Sequence, residues 1–315
     1  MGNKPFKLVM ISAMYENGGN TTHRLLDGHP QLFVYPFESQ PGTKYVNDFL
    51  SSMFPLKYRW PVFPNSADVI EIYNSIIDEE GKVRAKTPFV SKFRNADFDF
   101  SDSDRMRLFS EFLANKPLTR PNIMEAFFTA TFNAWKNYKR TCNETGYVGY
   151  SPIIGVDGEK IINDYKGNAF VLHVIRNPFS CYAETKRRPV PLSLEHYING
   201  WIMCQQYALY LSAKFEKNFF IARYEDIILN PENVLGEILE KMGFDKSATL
   251  KYPSWNGEIL KEVYPWGTIR IPTEEMNIET AKTLIDTEIK DIFTRTEMYL
   301  EKLNYLNIYN KLLQA

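Results

Sequence analysis

The sequence predicts a single α/β domain in which a central parallel sheet is flanked by helices, and three observations predict it. Short apolar, β-branched or aromatic runs bounded by polar residues occur at Lys7–Ser12, Ala169–Ile175 and Asn218–Ala222, as expected for strands buried on both faces. Helical patterns alternate with these runs, which is typical of parallel α/β folds. A glycine-rich turn follows the first run, at a position where such folds commonly bind phosphate. One domain is therefore expected over residues 1–315.

Further elements fit the same alternation. A fourth candidate strand lies at Leu32–Tyr35, and helical patterns lie at Leu192–Phe215, Pro231–Met242 and Ile278–Leu303. The second of these begins with proline in its first turn and ends just before Gly243, as helices commonly do.

Residues 42–149 have a different composition, rich in aromatic residues and prolines. Amphipathic helices are expected within this interval around Met106–Leu113 and Ile123–Tyr138. We interpret it as a mostly helical insertion between early strands that forms the acceptor side of a binding site. A helical cap that only completes the core is the open alternative.

Net charge, cysteine content and apolar runs limit the partners and the compartment that the sequence predicts. The formal net charge is −1, so we expect no broad attraction to nucleic acid or to a membrane surface. Three cysteines without a C-x-x-C pair fit a reducing compartment and argue against a cysteine zinc site. No apolar run approaches the roughly 20 residues needed to cross a bilayer, and no signal-peptide pattern is present. These features predict a cytoplasmic protein and leave its oligomeric state open.

The turn after the first predicted strand is suited to binding phosphate. Its residues are Asn17, Gly18, Gly19, Asn20, Thr21 and Thr22, and a helical pattern follows. Glycines let backbone N–H groups face a ligand, and a helix N-terminus adds positive potential. We interpret this as a P-loop-like nucleotide site in which the threonine hydroxyls are further donors. An ordinary strand-to-helix turn is the alternative.

A nucleoside triphosphatase is disfavoured. Such enzymes need Gly-Lys-Ser/Thr in the loop, where the lysine reaches the β- and γ-phosphates and the hydroxyl binds Mg²⁺. That tripeptide occurs nowhere in the chain.

Two more strand ends carry side chains that suit a nucleotide. Arg176 directly follows the predicted strand Ala169–Ile175, and open α/β sheets bind ligands at the carboxyl ends of their strands. Its planar guanidinium fits a phosphate monoester, with Ser180 as a further donor. Tyr224, just past the strand 218–222, could lie along an adenine ring edge. The alternatives are an arginine paired with a surface carboxylate and a tyrosine of the core.

Several segments together resemble the sulfotransferases that use 3′-phosphoadenosine 5′-phosphosulfate (PAPS). In chain order they are Leu25–Gln31, Val174–Pro178, Arg223–Ile227, Asn230–Phe244, Pro265–Arg270 and Tyr299–Leu303. They follow the order of that family across nearly the whole chain.

The resemblance implies PAPS as the donor, adenosine 3′,5′-bisphosphate (PAP) as the product and no metal. Residues 17–22 would hold the 5′-phosphosulfate, and Arg176 with the Ser180 region would hold the 3′-phosphate. Tyr224 would approach the adenine, and a closing segment would cover the nucleotide. That segment includes Gly267, Thr268 and Arg270.

The chain departs from the family's pattern at two places. The loop usually has a lysine or arginine just before its glycine, whereas Tyr15, Glu16 and Asn17 stand here; Lys44 is a candidate substitute. Glu184 stands where the family commonly has a serine. An alignment on Asp27 would shift the loop by two positions, so two registers stay open.

The transfer also needs a base that takes the acceptor's proton, commonly a histidine or a carboxylate. Glu38 closely follows the candidate strand Leu32–Tyr35, and a branch of the family uses a glutamate at this place. His23, just after the phosphate loop, is the second candidate for this catalytic role. A loop carboxylate that caps a turn is the alternative for Glu38.

These observations together predict a sulfotransferase that moves a sulfuryl group in line from PAPS to a hydroxyl or amine of a small-molecule acceptor. Tailoring of secondary metabolites in a bacterial setting is the expected context. The alternative is a catalytically degenerate protein of the same fold that binds a nucleotide or a partner.

Overall fold

A computed structural model describes residues 5–86, 97–263, 267–268 and 273–314. Its central sheet confirms the predicted α/β class. The strands are β1 Leu8–Ser12, β2 Leu32–Val34, β3 Gly146–Tyr150, β4 Ala169–Ile175 and β5 Phe219–Arg223. All pairings are parallel, and the order across the sheet is β2-β3-β1-β4-β5.

Helices connect and cover these strands. They are α1 Gly19–Leu26, α2 Val69–Lys86, α3 Asp102–Leu113, α4 Arg120–Ala134, α5 Gly158–Asp164, α6 Pro178–Lys186, α7 Leu194–Lys214, α8 Tyr224–Leu229, α9 Pro231–Lys241, α10 Glu274–Ala281, α11 Asp286–Lys302 and α12 Leu306–Leu313. Two short hairpins follow α9: β6 Ser254–Trp255 with β7 Glu258–Ile259, and β8 Glu262–Val263 with β9 Gly267–Thr268. No helix in the described part of the chain is both long and apolar enough to span a membrane.

Both faces of the sheet are buried, as the apolar runs predict. In β1, Leu8 and Met10 pack into a cluster that contains apolar residues of α2, α3 and α4. Val9 and Ile11 point to the opposite face and pack with residues of α1, α8 and α9, because successive side chains of a strand alternate between faces. A third cluster lies among α6, α7, α11 and α12. The helices of the interval 42–149 thus complete the core on one face.

Some elements differ from the sequence-based expectation. Strand β3 was not expected, because two glycines in its five residues weaken the strand pattern. The expected helix Ile278–Leu303 is wrong as a single element: it is divided into α10 and α11, and the second begins after Ile285. Helix α4 ends at Ala134, four residues before the expected end at Tyr138.

The strand order brings two predicted ligand-binding segments together. Strand β1 lies at the centre of the sheet, between β3 and β4. After β1 the chain forms β2 and β3 on one side of it, and then forms β4 and β5 on the other side. Such a reversal of direction opens a crevice at the carboxyl ends of the strands, where open α/β sheets bind ligands. The loop after β1 and Arg176 after β4 flank this crevice.

Candidate nucleotide and active site

The loop after β1 presents unused backbone donors at the start of α1. Gly18 has a φ of 87°, a left-handed conformation that favours glycine, and it directly precedes the helix. The backbone N–H groups of Gly19, Asn20 and Thr21 donate to no acceptor among the described residues. Thr22 donates both its N–H and its hydroxyl to the carbonyl of Gly18. The backbone of the first turn can therefore receive an anion, whereas the Thr22 hydroxyl is already engaged.

Two tyrosine rings lie directly against the glycines of this loop. A Cβ atom added to Gly18 would stand 2.1 Å from Cδ2 of Tyr224, and one added to Gly19 would stand 2.4 Å from Cε2 of Tyr150. The double glycine is therefore required by packing as well as by the turn. Tyr224 thereby lies beside the loop, with Thr21 next to its hydroxyl.

Arg176 places a cation beside the loop without a carboxylate partner. Its Nη1 donates to the backbone oxygen of Glu16 at 3.1 Å, and its Nε donates to Oδ1 of Asn277. The guanidinium lies 5.2 Å from the ring centre of Tyr224. No described carboxylate is within ion-pairing distance of it, so the alternative of a strand-end arginine paired with a surface carboxylate is not seen in the described part of the chain.

Asn17 holds the loop against β4 through its side chain. Its Oδ1 accepts the backbone N–H of Arg176 at 3.0 Å, and its Nδ2 donates to the backbone oxygen of Tyr15 and to the hydroxyl of Tyr197. These contacts use both N–H donors of the amide and one acceptor position of its oxygen. Asn17 therefore positions the loop relative to Arg176 in this structure.

A buried carboxylate, Glu225, organises the same region, although the sequence analysis does not single it out. Its Oε1 accepts from the backbone and side chain of Asn177 and from Nδ2 of Asn277, at 2.9–3.1 Å. Its Oε2 accepts from the hydroxyl of Tyr305 at 2.7 Å. Because Asn277 in turn binds Arg176, the network fixes the arginine to the helices that follow.

Glu38 stands on the other side of the loop, beside the end of β3. The backbone N–H and the hydroxyl of Ser39 both donate to the carbonyl of Tyr150, at 2.7 and 3.0 Å, and so hold the Glu38 segment against the sheet. The half-buried carboxylate makes no hydrogen bond or ion pair with any described residue. It is close enough to Tyr150 that, together with burial, it raises the pKa of that phenol well above its ordinary value.

His23 is less suited to the role of base. Its ring is 1% exposed, and Nη2 of Arg24 lies 3.0 Å from Nδ1. Burial and the neighbouring Arg24 charge hold the pKa of His23 well below its ordinary value. A neutral, enclosed imidazole has little access to an acceptor, so the geometry favours Glu38.

Comparison with solved structures identifies the fold. No protein-family model matches the sequence, and no curated protein matches it either. The structure, however, superposes on the sulfotransferase domain from the Synechococcus PCC 7002 olefin synthase with a TM-score of 0.52 and 15% identity, over 95% of this chain and 96% of that one. The sulfotransferase domain from the curacin biosynthetic pathway gives 0.50 and 13%, over 93% and 98%. The chain has the sulfotransferase fold.

Within this sulfotransferase fold, Ser180 and Glu184 make contacts inside the protein. Ser180 is fully buried, and its hydroxyl donates to the backbone oxygen of Asn277. Glu184 accepts from the hydroxyl of Thr280 at 3.2 Å and lies 3.7 Å from Arg187. Helix α10 thus packs on the region predicted to bind the 3′-phosphate, while Arg176 remains in contact with the loop through the backbone oxygen of Glu16.

The cation that the loop lacks has a different candidate from the one expected. Lys44 is exposed and lines a groove of about 700 Å³ with Asp68 and Glu71, and none of the residues 17–22 lines that groove. Arg188 instead donates from Nε and Nη2 to Oε1 of Glu16 and lies 5.1 Å from the ring centre of Tyr15. It therefore brings a guanidinium to the loop, where Glu16 balances its charge.

The predicted closing segment lies only partly within the described residues. Gly267 and Thr268 form β9 and pair with Val263 and Glu262 of β8, while Arg270 lies outside the described residues. Within the described ranges, no group of three or more His, Cys, Asp or Glu side chains is placed to hold a metal ion.

Proposed function

We propose that this chain is a sulfotransferase that moves a sulfuryl group from PAPS to a hydroxyl or amine of a small molecule. One observation carries the proposal: two anion-binding features meet at the carboxyl ends of the adjacent strands β1 and β4. They are the free N–H groups at the start of α1 and the guanidinium of Arg176, which has no described carboxylate partner. A hydrogen bond from Arg176 to Glu16 of the loop joins them.

The donor has two phosphate positions that match these two features. The 5′-phosphosulfate would lie on the N–H groups of Gly19, Asn20 and Thr21, where the helix dipole also favours negative charge. The 3′-phosphate would lie on Arg176, whose fork can bind two oxygens. The adenine would approach Tyr224, and Gly267, Thr268 and Arg270 would close over the nucleotide.

The transfer would proceed in a single displacement. The acceptor oxygen or nitrogen forms a bond to sulfur while the bond from sulfur to the bridging phosphate oxygen breaks, and its electron pair leaves with PAP. The acceptor's proton passes to the carboxylate of Glu38, which is free of described partners. Backbone N–H groups at the start of α1 stabilise the charge that develops on the departing phosphate.

An aromatic surface next to Glu38 supports a small-molecule acceptor. Phe37 packs edge-on against Phe98 with ring centres 5.2 Å apart, and both rings lie near Trp255. The carboxylates of Asp97 and Asp99 are exposed beside this cluster. A cyclic or cationic metabolite would find apolar area and counter-charge here.

The cellular context is part of the proposal. The two structural neighbours named above are domains of an olefin synthase and of the curacin biosynthetic pathway. Tailoring of a secondary metabolite in the cytoplasm agrees with those neighbours and with the balanced charge of the chain.

A second candidate function is nucleotide binding without transfer. It is favoured by two specific observations: the loop carries no lysine or arginine, and the hydroxyl of Ser180 is already donated to the backbone oxygen of Asn277. Such a protein would bind PAP but would not turn PAPS over.

Transfer of label from radioactive PAPS tests the proposal directly. Purified protein incubated with labelled PAPS and a panel of small alcohols, phenols and amines should label at least one acceptor and accumulate PAP. Excess ATP should not compete. Binding of PAP without any labelled product would favour the second candidate, and competition by ATP but not by PAP would contradict the donor.

A further inference from the structure

We infer that Tyr150 is a further catalytic residue, whose phenol hydroxyl donates a hydrogen bond to the sulfuryl group of the bound donor. The inference rests on the proposed function and names a group that the sequence did not single out. The hydroxyl of Tyr150 also places a polar group at a loop that lacks a lysine or arginine.

The position of Tyr150 follows from the register of the sheet. It is the last residue of β3 and lies opposite Ile11 of β1, just before the chain enters the phosphate loop. Its ring crosses to the start of α1, and a Cβ atom added to Gly19 would stand 2.7 Å from the phenol oxygen. The hydroxyl therefore lies at the first turn of α1, whose N–H groups are free.

The hydroxyl of Tyr150 is available for a ligand. The side chain is 5% exposed, yet its hydroxyl makes no hydrogen bond with any described residue. Other buried tyrosines use theirs: Tyr197 donates to the backbone of Tyr15, Tyr165 to Pro121 and Tyr305 to Glu225. The hydroxyl oxygen is not among the fully enclosed, unpaired polar atoms of the described residues, so a ligand in the crevice can reach it. It is therefore an accessible donor that no described protein group uses.

The surroundings of Tyr150 assign it the role of donor and not of base. Burial and the neighbouring charges of Glu38 and Glu16, only partly offset by Arg188, keep the pKa of its phenol well above the ordinary value. The phenol therefore retains its proton throughout the neutral range. Glu38 takes the acceptor's proton, the bond between sulfur and the phosphate oxygen breaks, and Tyr150 stabilises the transferring group without changing its own protonation.

PAPS and PAP differ by the sulfuryl group. A comparison of their affinities therefore isolates the hydrogen bond between the Tyr150 hydroxyl and that group. Tyr150→Phe removes the hydroxyl and keeps the ring that packs on Gly19. In calorimetric titrations, this variant should bind PAPS about 10-fold more weakly or worse, as expected for a hydrogen bond to a charged group. Its affinity for PAP should stay within about twofold of the wild-type value, since PAP has no group for this hydrogen bond.

Tyr147→Phe is the matched control. Tyr147 lies in the same strand, but its ring packs on Phe6 and Phe33. Removal of its hydroxyl should therefore change neither the affinity for PAPS nor that for PAP. Wild-type affinity for PAPS in Tyr150→Phe would overturn the inference and leave the proposed function intact. Equal losses for PAPS and PAP would reduce Tyr150 to a packing role. Failure of the wild-type protein to bind either nucleotide would overturn the proposed function and this inference together.

Discussion

At the scale of single residues, the candidate site places a proposed base, Glu38, on one short segment and a hydrogen-bond donor, Tyr150, on another. Ser39 connects the two segments. Ser39 donates twice to the carbonyl of Tyr150, so the segment that carries Glu38 is attached to the end of β3. The carboxylate of Glu38, which has no described partner, can accept a proton. The protonated phenol of Tyr150 beside it can donate a hydrogen bond. This arrangement makes Glu38 the proposed base.

Replacement of Glu38 by glutamine should abolish the base while it keeps the shape of the side chain. We expect the rate of sulfuryl transfer to fall about 10²- to 10⁴-fold, with PAP affinity unchanged, because Glu38 lies on the acceptor side of the loop. Radiolabel transfer and calorimetry measure the two quantities. Glu232→Gln, at an exposed position of α9, is the control. A variant Glu38→Gln that retains the wild-type rate would exclude this residue as the base.

Single residues also show how far the sequence predicts the site. Arg176 and the glycines of the loop could be predicted, because Arg176 directly follows one apolar strand and the glycines lie in the turn after another. The carboxyl edge of a parallel sheet is a known ligand position. Asn277 and Glu225 could not, because they meet Arg176 and Asn177 across 101 and 48 residues of chain. Such contacts depend on how helices pack, and no local pattern encodes them.

At the scale of elements, the junction of β1 and α1 combines backbone strain with close packing. Gly18 has a φ of 87° and supports the ring of Tyr224 directly. Gly167 has a similar φ of 92°, but a Cβ atom there would meet no atom within 4 Å. A comparison of Gly18 with Gly167 therefore separates the energetic cost of the left-handed backbone from that of the contact with Tyr224.

Gly18→Ala should therefore destabilise the protein more than Gly167→Ala does. We expect about 1 kcal/mol for Gly167→Ala from the backbone alone, and about 3 kcal/mol for Gly18→Ala because the tyrosine ring must also move. Urea unfolding measures both free energies. Equal losses for the two variants would show that Tyr224 does not press on the loop.

Elements were predictable where their local pattern is strong. Strand β4 has the expected bounds, since its seven residues are all buried and all except His173 are apolar. Strand β3 was missed because Gly146 and Gly149 interrupt its pattern, although it lies between β2 and β1. The break between α10 and α11 was missed because apolar residues continue at helical spacing across Leu284 and Ile285.

At the scale of the whole molecule, the C-terminal helices close the carboxyl edge of the sheet. Tyr305, just before α12, donates to Glu225 and to the carbonyl of Ile175, and Asn277 of α10 binds Arg176. The candidate 3′-phosphate site therefore depends on chain that follows the last strand of the sheet. Binding of PAP should accordingly stabilise the folded molecule as a whole.

Buried histidines should make the stability of the whole molecule depend on pH. His173 is 1% exposed, and burial lowers its pKa to about 4, whereas an unfolded histidine titrates near 6.5. Between these values the unfolded chain binds more protons, so the free energy of unfolding falls as the pH drops from about 6.5 toward 4. The expected slope is about 1.4 kcal/mol per pH unit for each such histidine, and His23 adds to it.

Urea unfolding between about pH 7 and pH 5 measures this slope. His173→Gln should reduce it, because glutamine does not titrate, whereas His196→Gln should not, because His196 is exposed in α7. Stability that is flat or rises toward acid would contradict the assignment of His173 as a neutral buried residue.

The central claim is that the guanidinium of Arg176 and the start of α1 together bind a nucleotide with a 3′-phosphate. Calorimetric titration of PAP into the wild-type protein, Arg176→Ala and Arg187→Ala tests it most directly. Arg187 is a suitable control because it is exposed at the far end of α6, where it forms an ion pair with Glu184. The account predicts binding to the wild type and to Arg187→Ala, and a loss of about 100-fold in Arg176→Ala. Equal binding of PAP by all three proteins, or by none, would contradict it.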